Sequence, residues 1–376
     1  MSKRERVVTA LNHREPDRVP KDCSGVAGMT DKTYKRFVDF LGIKDDKSEF
    51  NQEWRIVNRF DKRALEALGV DTINVFLREP RGYKPKVNPD GTITNEWGII
   101  KKNVGSYIEI VGHPLSSAEV KDIYRYPWPD PCAPGRTDGL REEVERLYNE
   151  TDYAIKAAAP MNSFLEFSQW LRGFEQFLVD LILNEDFVNV LLDRELELQK
   201  GFYEVLLDAV GDYIQIVETS DDLGAQQGPL ISLETYRKFI KPRQKEINDF
   251  IHGRTDAKIF QHSDGSVYQL IPDLIETGLD ILEPVQPLAK NMEPQRLKKE
   301  FGDRLCFWGG IDIQSVLPKA SVEEVENHVR SRIRALAPGG GYVVSPAHNI
   351  QEDTPCENIL ALYRAVDRFG QYPIDI

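Results

Sequence analysis

The segment IFQHSDGSV, residues 259–267, places His262 and Asp264 two positions apart, between a short apolar run and a glycine. A second imidazole, His348, follows another apolar run near the carboxyl terminus. Two imidazoles and one carboxylate suit zinc, and they also match the two-His, one-carboxylate set that binds ferrous iron. These residues therefore indicate a metal site if the fold brings the two loops together.

Carboxylates stand at the end of a further apolar run, in the segment VETSDDLG, which contains Glu218, Asp221 and Asp222. The carboxyl ends of parallel barrel strands share one rim, so these carboxylates could lie beside the two imidazoles. Other interpretations use the same residues, because a strand-end histidine is often only a hydrogen-bonded cap and adjacent aspartates are frequent in turns. Residue types and spacing alone predict a barrel enzyme and leave the metal site open.

The elements that would position these residues are short apolar runs that alternate with segments of helical periodicity. Eight runs occur, at 18–25, 71–76, 154–159, 213–218, 258–263, 281–286, 305–312 and 341–349. Ser321 has the residue type of a helix N-cap before the helical segment that follows it. Strands that alternate with helices form a parallel sheet, and eight units predict an α/β fold of the (β/α)8 TIM barrel type. An open doubly wound sheet is the alternative.

One segment departs from this alternation. Residues 83–110 contain Asp90-Gly91 between two alternating runs, a pattern typical of a β-hairpin. We expect this segment to form an antiparallel β-hairpin excursion near the barrel mouth. It would be an insertion within a single domain that spans residues 1–376, a length compatible with one barrel.

Charge and composition exclude several classes of function. The formal net charge is −13, so the clustered Lys and Arg that nucleic acids or anionic membrane surfaces require are not expected. No run of 18 or more apolar residues occurs and the N-terminus lacks the apolar core of a signal peptide, so we expect a cytoplasmic protein. The four cysteines are far apart without a CxxC motif, so any metal must rely mainly on His and carboxylate.

Several motifs, in order, resemble the uroporphyrinogen decarboxylase superfamily over nearly the whole chain. They are RERVVTALNHREPDRVP, PLISLETYRKFIKPRQKEI, FQHSDGSVYQLIPDLIETGLDILEPVQP, FWGGIDIQSVLP and PCENILALYRAV. The decarboxylases themselves carry an arginine-rich RQAGR-type segment that binds substrate carboxylates. This chain has KDCSGVAGMTDKTY at the corresponding place, after Pro20. The resemblance therefore implies a member that does not catalyse the decarboxylation.

The other branch of the superfamily, the corrinoid-dependent methyltransferases, binds zinc through a His-x-Cys motif after one strand and a cysteine after the last. The segment HSDG places His262 on the family histidine and Asp264 on the first cysteine, and SPAHNI places His348 on the second. The resemblance thus implies a zinc site with Glu218 or Asp222 as fourth ligand or proton donor. Without thiolates, the metal is a stronger Lewis acid and suits the polarisation of an oxygen atom.

On this resemblance we expect a zinc-dependent methyltransferase that cleaves a methyl ether, with a methoxylated aromatic compound as the methyl donor. The methyl group would pass to the Co(I) corrinoid (cobalamin) of a partner protein, and a homodimer is left open. The first alternative is a methylcobamide:thiol methyltransferase of the coenzyme M type. The second is a decarboxylase-like protein without metal, whose His and Asp residues have only structural roles.

Overall fold

The computed structural model of the chain describes residues 1–44, 46–51, 53–105 and 107–374. The strands are β1 Glu49–Asn51, β2 Ile56–Arg59, β3 Thr72–Val75, β4 Lys86–Val87, β5 Ile93–Thr94, β6 Ile100–Val104, β7 Tyr107–Gly112, β8 Ala154–Ala157, β9 Ile216–Ser220, β10 Gly224–Ala225, β11 Gly228–Pro229, β12 Lys258–His262, β13 Ile281–Val285, β14 Cys306–Ile311 and β15 Tyr342–Pro346. The helices are α1 Lys3–Leu11, α2 Asp31–Phe40, α3 Lys62–Leu68, α4 Val120–Arg125, α5 Leu140–Glu150, α6 Phe164–Arg172, α7 Phe174–Leu183, α8 Glu185–Val210, α9 Leu233–Thr235, α10 Lys241–His252, α11 Ile271–Glu276, α12 Pro294–Phe301, α13 Val316–Lys319, α14 Val322–Leu336 and α15 Cys356–Phe369.

Seven parallel strands form the main sheet, in the order β3-β8-β9-β12-β13-β14-β15. The spatial order follows the chain order, as in a barrel, whereas a doubly wound sheet reverses direction at a switch point. These seven strands lie at seven of the eight predicted runs. The order therefore confirms the predicted fold class and excludes the open doubly wound alternative.

The predicted first strand, residues 18–25, joins the two edges of this sheet without forming a regular strand. Lys21 forms a single parallel bridge with Val344 of β15. On the other side, the Asp71 amide next to β3 donates to the Lys21 carbonyl at 2.8 Å. Pro20 has no N–H group to donate, so the ladder cannot extend in that direction. The barrel thus has seven full strands and one bridging segment.

Alternate strand residues fill the interior of the barrel, because successive side chains on a strand point to opposite faces. The buried interior cluster contains Ala154, Ile216, Phe260, Ile281, Trp308 and Val343, together with Val7 and Leu11 of α1. Ala154, Ile216 and Ile281 are the first residues of their strands. Helix α1 therefore closes the amino end of the barrel. An active site is expected at the other end, where the strands have their carboxyl ends.

The next inward-facing layer toward the carboxyl ends is charged. Lys156, two residues after Ala154, is fully buried, and its Nζ atom lies 2.6 Å from Glu218 Oε1 and 3.4 Å from Asp22 Oδ2. The same ammonium group lies 4.7 Å from the ring centroid of Phe260. Buried charges of this kind persist only when they are paired, and here one cation meets two carboxylates.

The predicted excursion over residues 83–110 is a four-stranded antiparallel sheet, β4 to β7, and is larger than a single hairpin. The Asp90-Gly91 turn lies between β4 and β5, as predicted, and residue 106 lies outside the described residues. Trp97 packs edge to face on Phe167 of α6, with ring centroids 4.8 Å apart. Since α6 follows the carboxyl end of β8, the excursion lies on the mouth side of the barrel.

No helix within the described ranges is long and apolar enough to cross a membrane. The assignment of residues 1–376 to a single domain stays a prediction.

Ser321 caps α14, as its residue type predicts. Its hydroxyl accepts a hydrogen bond from the Glu324 amide, and the Glu324 carboxylate accepts one from the Ser321 amide at 2.7 Å. We expect Ser321→Ala to lower the free energy of unfolding by about 1 kcal/mol, because the Glu324 amide loses its hydroxyl acceptor. Urea denaturation followed by circular dichroism measures the change. Ser331→Ala, an exposed site within the same helix, is the control, and equal effects of the two variants would contradict the assignment.

Candidate metal centre

His262 is the last residue of β12, and a carboxylate of the neighbouring strand holds its imidazole through Nδ1. Parallel register pairs His262 with Glu283 of the neighbouring strand β13. The Nδ1 atom of His262 lies 2.5 Å from Glu283 Oε2, and both side chains are buried. Because a carboxylate only accepts hydrogen bonds, Nδ1 carries the proton and Nε2 points away from the anchor. The sequence does not single out Glu283, since it lies within the apolar run 281–286, which predicts only a strand.

Asp264 and His348 lie on the open side of this ring. The Nε2 atom of His262 is 3.8 Å from Asp264 Oδ1, and the Nε2 atom of His348 is 4.0 Å from Asp264 Oδ2. One donor atom from each of the three residues lies within 4.8 Å of the other two. Ligands about 2.0–2.1 Å from a tetrahedral zinc ion are roughly 3.3 Å apart, so small side-chain movements bring all three donors to bonding distance.

The loop that carries Asp264 is held by hydrogen bonds from two directions. Gln286 donates to Asp264 Oδ1 at 2.7 Å and accepts from the Gly265 amide at 2.8 Å. The Asp264 amide donates to Asp222 Oδ1, also at 2.8 Å. Gly265 has φ +81°, and a Cβ atom there would lie 2.7 Å from backbone atoms of Gly224. The HSDG segment is therefore a turn, and the same turn directs Asp264 toward the two imidazoles.

The two predicted carboxylates of β9 and its following loop lie in different surroundings. Asp222 Oδ1 is 3.9 Å from His262 Nε2, so this side chain lies at the edge of the cluster. Glu218 pairs with Lys156 inside the barrel, and the three-residue donor group does not include it. The structure thus brings four of the five predicted site residues together. The roles of Asp222 and Glu218 as ligand or proton donor stay predictions.

A further carboxylate near the cluster was not selected from the sequence. Glu166 lies in the first turn of α6, and its Oε2 atom accepts a hydrogen bond from Asn162 at 2.6 Å. Burial, together with the nearby Asp222 carboxylate, raises the pKa of Glu166 to about 8. Glu166 carries no strand-end signal in the sequence, because it lies within an aromatic-rich segment of helical periodicity. This rim therefore carries a carboxyl group that holds its proton to a higher pH than an ordinary glutamate does.

The electrostatics of the cluster suit a divalent cation. Burial raises the pKa of Asp264 to about 6 and lowers the pKa of His348 to about 4. Burial alone would lower the pKa of His262, but the Glu283, Asp264 and Asp222 carboxylates raise it well above its ordinary value. A positive charge at Nε2 of His262 is thus stabilised, and a bound cation would take the place of that proton. With two imidazoles and a carboxylate as donors, the site fits zinc.

Residues 104–369 match the family Uroporphyrinogen decarboxylase (URO-D), which covers well over half of the chain. The chain belongs to this family. A uroporphyrinogen decarboxylase from Coxiella burnetii (strain RSA 493 / Nine Mile phase I) is 21% identical, over 74% of this chain and 75% of its own length. The methylcobamide:CoM methyltransferase MtaA of Methanosarcina barkeri is 24% identical, over 53% of this chain and 54% of its own length.

One solved structure has a similar fold over nearly the whole chain. A methyltransferase from Methanosarcina mazei has a TM-score of 0.66 at 18% identity, covering 98% of this chain and 99% of its own. At this identity the comparison supports the fold alone, and it agrees with the barrel described above. The family match and the methyltransferase relative together confirm the resemblance to the superfamily and to its methyltransferase branch.

Proposed function

We propose that this protein is a corrinoid-dependent methyltransferase that binds zinc through His262, Asp264 and His348. The observation that carries the proposal is the convergence of these three donors at the carboxyl end of the barrel, where barrel enzymes carry their active sites. The methyltransferase names of two relatives support the reaction class. A corrinoid protein is the expected partner, and the homodimer stays a prediction.

Decarboxylation of a substrate rich in carboxylates receives no support from the segment after Pro20. No arginine occurs between Val19 and Lys35. The buried Lys21 has its ammonium group 2.7 Å from Asp367, and Lys32 pairs with Glu352. The cations of this segment are thus already paired with carboxylates of the chain. The segment therefore lacks the bidentate guanidinium groups that bind substrate carboxylates well.

An ether oxygen is the substrate atom that suits this donor set. When bound, zinc would supply a Lewis acid for the negative charge that develops on that oxygen as the methyl group leaves. Asp264 and two imidazoles donate less electron density than thiolates, which favours this role. The Glu166 carboxyl group, whose pKa is raised by burial and by Asp222, would supply the proton to the leaving oxygen. A methoxylated aromatic compound is the substrate class that most needs both effects, because phenolate is a poor leaving group.

The second candidate is methyl transfer between a corrinoid and a thiol, and the relatives favour it more directly. MtaA is named a methylcobamide:CoM methyltransferase, and a Methanosarcina mazei relative is named a methylated-thiol–coenzyme M methyltransferase. That second relative is 26% identical over 36% of this chain and 34% of its own length. We rank ether cleavage above thiol methylation because the three donors include no cysteine.

Absorbance spectroscopy of free cobalamin separates the two candidates. In one arm, cob(I)alamin is mixed with the zinc-loaded protein and either a methoxyarene or a methylated thiol. In the other arm, methylcobalamin is mixed with the protein and a free thiol. We expect faster methylation of cob(I)alamin with the methoxyarene than with the methylated thiol. Faster reaction of the methylated thiol in the first arm, together with demethylation of methylcobalamin by the free thiol in the second, would establish the second candidate. Inactivity in every arm would contradict the proposal.

His348→Cys distinguishes the role of the donor set from that of the metal itself. A cysteine thiolate binds zinc well, so we expect the zinc content to remain at the wild-type level. The stronger electron donation should make the metal a weaker Lewis acid and lower ether cleavage by about tenfold, which is roughly 1.4 kcal/mol in the barrier. Zinc analysis and the methoxyarene assay measure the two quantities. Retained zinc with undiminished ether cleavage would contradict the proposed advantage of imidazole and carboxylate ligands.

A further inference from the structure

The carboxylate behind His262 has one hydrogen-bond partner in the described part of the chain. Glu283 is fully buried, and its Oε2 atom lies 2.5 Å from His262 Nδ1. Its other oxygen, Oε1, is also buried and has no hydrogen-bond partner among the described residues. A buried carboxylate costs desolvation energy that one hydrogen bond does not fully offset. This residue is therefore poorly explained by fold stability alone.

We propose that Glu283 is a positioning residue that fixes the His262 ring with Nε2 facing Asp264 and His348. The proposal rests on the zinc site of the proposed function. A neutral imidazole has one N–H group, and a carboxylate beside Nδ1 places it there, which leaves the Nε2 lone pair for a metal. A carboxylate acceptor also makes the imidazole a stronger donor, as in carboxylate–histidine–zinc arrangements.

The two imidazoles of the cluster differ in how firmly they are held. His262 is buried and anchored through Nδ1, whereas the His348 side chain is 35% exposed. Among the described residues, no hydrogen bond orients a ring nitrogen of His348. The rings are tilted by 56°, with centroids 5.6 Å apart. Glu283 therefore fixes the one rigid donor, and Asp264 and His348 have to adjust around it when a metal binds.

Zinc affinity of Glu283→Gln tests this role separately from activity. The glutamine keeps the size of the side chain and removes its charge, so we expect zinc to bind 10–100-fold more weakly. Competition with a chromophoric chelator measures the affinity, and the visible absorption of the Co(II)-loaded protein reports the ligand field. Glu195→Gln is the matched control, because Glu195 is a fully buried carboxylate of α8 that contacts Ser168. It should leave zinc affinity and the cobalt spectrum unchanged.

A second variant, Glu283→Asp, keeps the charge at a longer distance from His262. We expect its zinc affinity to lie between those of the wild type and Glu283→Gln, with each variant judged folded by circular dichroism. Wild-type affinity in Glu283→Gln, or an aspartate variant no better than the glutamine variant, would overturn the positioning role. Failure of the wild type to bind zinc would contradict the proposed function. Zinc binding by the wild type that Glu283→Gln leaves unchanged would contradict only the positioning role.

Discussion

Replacing His262 by alanine is expected to remove zinc binding and methyl transfer together. His262 is the buried donor of the cluster, and Asp264 and His348 alone give too few ligands for a stable zinc site. A Lewis acid contributes several kcal/mol to the stabilisation of developing charge, and about 4 kcal/mol corresponds to roughly a thousandfold in rate. We therefore expect a fall of at least about a thousandfold in methyl transfer from a methoxyarene.

The matched control is His252→Ala. His252 is the last residue of α10, and its Nε2 atom lies 3.0 Å from Asp280. Asp280 directly precedes β13, so this pair lies at the amino ends of the strands, away from the metal cluster. This variant should keep both zinc and activity. Because His262→Ala also leaves the Glu283 carboxylate buried without its partner, its thermal stability must be measured beside its zinc content. A folded, zinc-free His262→Ala protein with full activity would show that HSDG is only a structural turn.

The second large effect is expected from Glu166→Gln, which removes the candidate proton donor without removing a metal donor. General acid catalysis contributes about 10²–10⁴-fold, so methyl transfer from an unactivated methoxyarene should fall within that range. A methyl ether with a nitro-substituted phenol as leaving group needs less protonation, and its reaction should be affected much less. Rates measured with both donors at constant zinc content test the role.

The pH profile gives an independent test of the same residue. Glu166 acts as an acid only while protonated, so wild-type activity should fall as the pH rises through the pKa of this carboxyl group, which burial and Asp222 raise. Glu166→Gln should lose this alkaline decrease. Glu175→Gln, an exposed carboxylate at the start of α7, is the control and should keep the wild-type profile. Equal losses for activated and unactivated ethers in Glu166→Gln would contradict proton donation.

The strands of the barrel could be predicted because each central strand is buried and therefore reads as a short apolar run. The apolar run at 18–25 predicts a full strand, yet it forms only isolated bridges, Arg18 with Gln371 and Lys21 with Val344. Its proline removes one ladder donor, a local effect that a hydropathy pattern does not show. The excursion was recognised from Asp90-Gly91, but its four strands depend on pairing that turn residues alone do not define.

The site could be predicted in part for a related reason. His262, Asp264 and His348 are polar residues directly after apolar runs, so their strand-end position is visible in the sequence and the fold brings them together. Glu283 could not be predicted as part of the site, because it lies inside a strand. Only the parallel register of the two strands places it beside His262. Glu218 stands in an equally suggestive position, but Lys156 from the neighbouring strand pairs with it. Neither contact follows from spacing along the chain.

X-ray absorption spectroscopy at the zinc edge, on the purified protein with its metal content measured, tests whether zinc is bound through His262, Asp264 and His348. We expect one zinc ion per chain, with only nitrogen and oxygen neighbours at about 2.0–2.1 Å. A sulfur neighbour at about 2.3 Å would contradict the assignment of Asp264 and His348 to the ligand positions. Failure of the wild-type protein to bind zinc at neutral pH would contradict the metal centre altogether.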